Sequence, residues 1–274
     1  MDKHQKILPF VFILLLVLMG YLGLRAYNDA VMYENHTTEL VNYQSAGEQA
    51  KLKLESLAKS ILGGMYDDKK KASVDKLKEQ QRMAMYEAKK YTLYYMCVLL
   101  LLLLGTFWVS LRSFTRFGAL ATMMTLFFGL FSPILMVTIH KEVEYLGDIV
   151  LSFESKGVIG SIVKLWEGGD WIVASVILLF SVVVPILKVT SLFFVSLFLE
   201  SRFASKLVGF FKMIGKWSMV DVFVVAIFLV YLTANKGDVS RAEVEVGLYF
   251  FLVYVIVSML LSLSADKLLK AQKA

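Results

Sequence analysis

The sequence predicts an all-α, polytopic membrane protein: six transmembrane helices, both termini inside, and an antiparallel helical hairpin on the outer face between helices one and two. Three observations predict it. Of 274 residues, 58% are hydrophobic and 19% charged, against roughly 45–50% and about 25% in an average soluble domain. That is more apolar surface than an interior of this size can hide. The apolar residues are gathered into stretches close to the roughly 20 residues that cross about 30 Å of hydrocarbon. The basic residues gather on alternate connections between those stretches.

The expected spans are Ile7–Leu24, Tyr91–Leu111, Phe117–Ile139, Trp171–Leu199, Trp217–Ala234 and Gly247–Leu263. The first follows Lys3 and Lys6, as a cleaved signal peptide would. Its run of 18 residues exceeds the 7–15 typical of a signal core. Cleavage after Ala26 would also put Leu24 where a small residue is preferred, so the expectation is an uncleaved anchor.

Orientation follows from the short loops. Arg112 and Arg116 separate spans two and three without an acid. Arg202, Lys206, Lys212 and Lys216 face Glu200 alone between spans four and five, and Lys267, Lys270 and Lys273 face Asp266 in the tail. The alternate loops are different: His140–Asp170 carries three lysines and six acids, and Asn235–Val246 carries Lys236 and Arg241 against three acids. Basic residues mark the cytoplasmic side. The net charge of +6 is thus an insertion signature, and no basic-aromatic face or motif points to nucleic acid.

The chain divides into a hairpin unit (1–116), a four-span unit (117–264) and a short tail (265–274). Between the first two spans, small and apolar residues recur at steps of three and four: Leu40, Tyr43, Gly47, Ala50, Leu54, Leu57 and Ile61. A second series follows in Val74, Leu77, Gln81, Ala84, Ala88, Tyr91 and Tyr95. This is coiled-coil spacing, interrupted by Gly63-Gly64 and the polar run Asp67–Lys71, a helix stop and turn. An arm over about 28–90 is expected, either a spacer or a surface for docking and self-association.

In the four-span unit, Ser155–Trp166 and Phe203–Trp217 pair apolar with charged positions and read as helices lying on the membrane surface. Two charges fall inside the spans, Lys188 in Val184-Pro185-Ile186-Leu187-Lys188 and Asp221 in Trp217-Ser218-Met219-Val220-Asp221. A charge in hydrocarbon costs about 2.5–3.5 kcal/mol on insertion scales and commonly faces a bundle interior. Both residues lie roughly 7–10 Å inside the cytoplasmic face, counted at 1.5 Å per residue. The alternatives are an ion pair lining a polar cavity, or a snorkelling lysine beside a helix-capping aspartate. Pro133 and Pro185 each invite a kink, and Pro133–Thr138 resembles Pro185–Thr190, as paired broken helices of transporters do. Thr190 and Ser218 add hydroxyls to the same interior.

Enzymatic readings fail on inventory: there is no nucleophile elbow, phosphate loop or paired histidine. His140 has no second metal ligand at suitable spacing, and the single cysteine, Cys97, gives neither a disulfide nor a Cys-rich zinc site. No enzyme activity, cofactor or metal is expected.

Val184–Lys188, a basic connector and then Lys216-Trp217-Ser218-Met219-Val220-Asp221-Val222-Phe223 together resemble the signature of the paraquat-inducible protein A (PqiA) family. Phe131-Ser132-Pro133-Ile134-Leu135 resembles that family's earlier proline motif. The likeness covers about Phe117–Leu263, with Pro185, Lys188, Trp217, Ser218 and Asp221 at the motif positions. It implies an inner-membrane protein of double-membraned bacteria that works with an MCE-domain tunnel protein to move phospholipid between the two membranes. Well-known members duplicate the four-span unit and carry Cys₄ zinc ribbons; this sequence has one copy, no ribbon and the added hairpin. The competing expectations are a signalling or scaffold protein using the hairpin, and a small-solute or proton-coupled carrier. The candidate transport site comprises Lys188, Asp221, Ser218, Thr190, Pro185, Pro133 and Trp217.

Overall fold

The computed structural model describes residues 3–44, 68–143, 147–197 and 240–273. Helices α1 (Lys3–Gln44) and α2 (Asp68–Val109) are 42 residues each. At 1.5 Å per residue each runs about 63 Å, twice the roughly 30 Å of bilayer hydrocarbon. Each therefore holds a span and an extension. Leu22, Ala26, Ala30, Tyr33, Thr37 and Leu40 bury one face of α1. Ala88, Tyr95, Leu99 and Leu102 do so on α2, with Leu77, Gln81, Ala84 and Tyr91 half-buried on the same stripe. The two helices are antiparallel and fixed at both ends. Gln81 Nε2 donates to Thr37 Oγ1 at 2.7 Å, and far down the pair a Cβ on Gly105 would lie 3.3 Å from the Phe12 ring. The coiled-coil spacing thus holds at Leu40 and from Leu77 to Tyr95; Gly47 to Ile61, and the side chains of Tyr43 and Val74, lie outside what is described.

Helix α3 (Leu111–Phe131) follows α2 after one residue, Ser110, whose hydroxyl accepts the Ser113 backbone N–H at 3.1 Å and caps the new helix. Arg112 and Arg116, read from sequence as a loop, are therefore in the opening turns of α3. The expected span to Ile139 also ends early. Pro133 disfavours helix at the residue before it, and Ser132 is extended (φ −72, ψ 150). The apolar run beyond is strand.

That strand corrects the all-α expectation: the membrane-crossing elements are helices, but the bundle carries a three-stranded antiparallel sheet. β1 (Leu135–Val143) is central, flanked by β2 (Gly147–Lys156) and β3 (Ser240–Val244). The register runs Leu135↔Lys156 and Leu135↔Val244, with a bulge at Ile139/His140 in the β1–β2 ladder. β-Branched and alternating residues suit this pleat, but β3 comes from a hundred residues downstream, a pairing no local pattern announces.

Gly157 leads into α4 (Val158–Glu167), the expected surface helix, begun later than Ser155 because β2 occupies that residue. Its Trp166 stacks on Trp171 at 6.4 Å between centroids, and Trp171 Nε1 donates to the Trp166 carbonyl. The next span is α5 (Trp171–Leu178), a π-helical turn (Leu179–Val183) and α6 (Val184–Leu197). The last is α7 (Val246–Lys273). Five described helices are long and apolar enough to span a membrane; the sixth expected span, Trp217–Ala234, lies outside the described residues. The protein is a multi-pass membrane protein.

The hairpin spans and the four-span unit share one core. Met19, Tyr95, Phe128 and Phe250 belong to the same buried cluster, and Tyr95 meets Phe250 edge-on at 4.9 Å. Outward, Leu14, Val17, Leu101, Trp108 and Ile172 are exposed, as a lipid-facing surface requires. The sheet caps one end of the bundle. At the other, Arg112 Nε donates to the Ser196 carbonyl at 3.5 Å, so the chain leaves the described residues at Leu197 at one end and re-enters at Ser240 at the other.

Candidate functional site

Helix α6 buries Pro185, Lys188, Val189, Leu192, Val195 and Ser196. These recur at steps of three and four, so one face carries both the proline and the lysine inward. The π turn above has a local cause. Pro185 has no N–H for the carbonyl four residues back and its ring crowds that group. The helix widens by one residue, and the Val184 N–H bonds to the Leu179 carbonyl instead. Such turns are frequent at functional sites.

Lys188 is 7% exposed, and its Nζ donates to Ser258 Oγ of α7 at 3.2 Å. Ser258 is fully buried, and its hydroxyl donates to the Val255 carbonyl at 2.9 Å. The lysine is thus inside the bundle, not snorkelling to the headgroups. One turn up α7, Tyr254 is also fully buried and packs with Val189, Leu126 and Leu130. Further along, Tyr95 and Thr125 hydroxyls meet at 2.9 Å. These polar groups stand inside an otherwise apolar core, where each must find a partner.

The sequence-derived residues separate. Pro185 and Lys188 share a face. Thr190 is half-buried and, two residues on from Lys188, points some 200° away around a helix of 3.6 residues per turn. Pro133 is not a helix kink mirroring Pro185. It is buried at the join of α3 and β1, and its carbonyl accepts the Gly247 N–H at 2.8 Å. Trp217, Ser218 and Asp221 lie outside the described residues, so the Lys188–Asp221 pairing stays an expectation.

Two residues escaped the sequence reading. Ser258 had only its polarity in an apolar span to mark it. Glu245, counted there only as one of three acids on the Asn235–Val246 loop, is 1% exposed at the head of α7, its backbone N–H bonded to the Ile134 carbonyl at 3.0 Å. The β1–β3 pairing draws it in, and nothing local signals that.

Comparison with known proteins places this region. Residues 115–270 match the family described as paraquat-inducible protein A. The intermembrane transport protein PqiA of Escherichia coli K12 is 26% identical over 125 residues, 43% of this chain and 30% of that protein. The proteins of the same name from Escherichia coli O6:H1 and Shigella flexneri give the same figures. The match thus spans less than a third of the length of these curated relatives. No solved structure matches the chain.

Proposed function

The chain belongs to the paraquat-inducible protein A family, and from that premise we propose that it is an inner-membrane subunit moving lipid between the two membranes of a double-membraned bacterium. The relatives' name, intermembrane transport protein, supports transport, and no catalytic step is assigned to the chain. The observation that carries the reading is Lys188: a cation held inside the family-matched bundle on Ser258, placed on the same face as the proline beside a π turn. A buried ammonium below a widened helix turn is suited to a lipid phosphate. Asp221, Ser218 and Trp217 are proposed to complete the polar end of the path, with Thr190 and Pro133 at its margins.

Lipid photocrosslinking from positions flanking Lys188 tests this, in the unaltered chain and in Lys188→Ala and Asp221→Asn. Diminished crosslinking together with failed complementation of a deletion strain is expected. Equal crosslinking and full complementation by both variants would remove the site.

A second proposal concerns the arm. The Gln81–Thr37 bond keeps α1 and α2 paired beyond the hydrocarbon, as a rigid docking post would be. We assign it to an MCE-type partner, with self-association through the same surface as the alternative. Deleting 35–82 should abolish partner co-purification while leaving lipid crosslinking intact. Loss of crosslinking with retained co-purification would reverse the assignment.

A further inference from the structure

We propose that Arg112, Arg116 and Lys188 form a ladder of cations, leading a phosphate-bearing headgroup from the basic end of the bundle into its interior between α3 and α6. The inference rests on the lipid-handling reading and adds the route and the recognised group.

The lowest rung is set by Arg112, whose Nε reaches the Ser196 carbonyl at 3.5 Å. This contact shows that the Arg112 stripe of α3 faces α6. Arg116 is one turn along the same stripe, about 6 Å further in. Its Nε is buried without a hydrogen-bond partner among the described residues, although the residue as a whole is half-buried. A lysine or arginine that only orients a membrane protein extends its charge into the headgroups. Arg116 instead withdraws one N–H from water and gives it no acceptor among the described residues.

Lys188 supplies the third rung. It is eight residues before Ser196, so about 12 Å further in along α6. An independent contact agrees: Gly118 packs against Leu261, and Ser258, which holds the Lys188 ammonium, is a further turn up α7. The rungs are thus spaced by about 6 Å, short enough to pass a phosphate between neighbours. Guanidinium forks suit a phosphodiester bidentately, and a lysine serves as a point charge. Several modest sites in series favour passage over trapping.

The test uses the full chain in nanodiscs with clickable phosphatidylglycerol, and p-benzoylphenylalanine placed at Leu120, beside Arg116, or at Leu187, beside Lys188. Arg116→Gln should lower lipid capture at both positions about tenfold, the loss that one charge-assisted contact represents. Lys188→Met should lower it at Leu187 alone. Arg116→Lys keeps the orienting charge and should restore most of the capture. Capture at Leu187 indifferent to Arg116→Gln overturns the ladder and leaves the lipid-handling reading standing. No capture at Leu187 in the otherwise unaltered chain removes that reading and the ladder with it. Excess inorganic phosphate should leave capture unchanged; if it abolishes capture, the rungs bind the free anion and the lipid assignment falls.

Discussion

The Gly247 N–H donates to the Pro133 carbonyl at 2.8 Å, and a Cβ on Gly247 would sit 2.6 Å from that oxygen and from the Ser132 carbonyl. The glycine is what lets α7 begin directly against the end of α3. Both obstructing atoms are backbone, so neither can swing aside.

Gly247→Ala should therefore destabilise the protein by about 1–3 kcal/mol, the usual cost of overpacking. Thermal unfolding of the purified chain in detergent reads this as a lowered midpoint. Gly160→Ala, where a Cβ meets nothing within 4 Å, is the control and should not lower it. Equal midpoints for both variants would mean the α3–α7 join yields.

Lys188 should matter to stability and function together. Removing one partner of a buried polar contact is destabilising, by about 3–5 kcal/mol where that contact is an ion pair. Lys188→Met, which keeps the volume, is expected to unfold at a lower temperature than the unaltered chain and to lose transport, and Lys188→Ala, which also leaves a void, should lose about 2 kcal/mol more. A Met variant with full transport would reduce the lysine to structural filler.

The Tyr95–Thr125 hydroxyl pair is suited to a double-mutant cycle. Thr125 keeps its bond to the Ala121 carbonyl at 2.8 Å, so Tyr95→Phe removes one contact without orphaning the threonine. A coupling of about 0.6 kcal/mol is expected, the average for such bonds within membranes. Zero coupling from Tyr95→Phe, Thr125→Val and the double variant would assign the stabilisation of this pair to ring packing.

In the arm, Gln81→Ala should loosen the α1–α2 pairing beyond the membrane by about 0.5–1.5 kcal/mol. Hydrogen exchange of the α2 amides before Ala88 should quicken by the corresponding factor, while those after Tyr95 should not change. Uniform protection in the variant would show that the apolar stripe alone holds the arm.

Much of this was legible in the sequence because lipid imposes simple rules. Lys188 stood out as a charge in an apolar run, and its burial follows from the steps of three and four that carry it inward with Pro185. The arm was readable for the same reason: Gln81 and Ala88 fall on one stripe of one helix. Pro133 was misread because hydropathy does not distinguish a span's last turns from a strand, and the run from Ile134 to Ile139 is apolar either way. Glu245 was invisible, since its burial depends on a strand pair joining residues a hundred apart. At Glu245 distance along the chain hides the contact, and at Pro133 the shared hydropathy of helix and strand hides the change of structure.

The sheet gives the bundle a mechanical asymmetry. At its end, α3 and α7 are joined through backbone bonds that continue into two ladders, stiff and hard to stretch. At the opposite end, the described junction of α3 with α6 includes one side-chain reach from Arg112 to Ser196 at 3.5 Å. The two ends of α3 are thus held by different means, and the arginines stand at the end held by side chains.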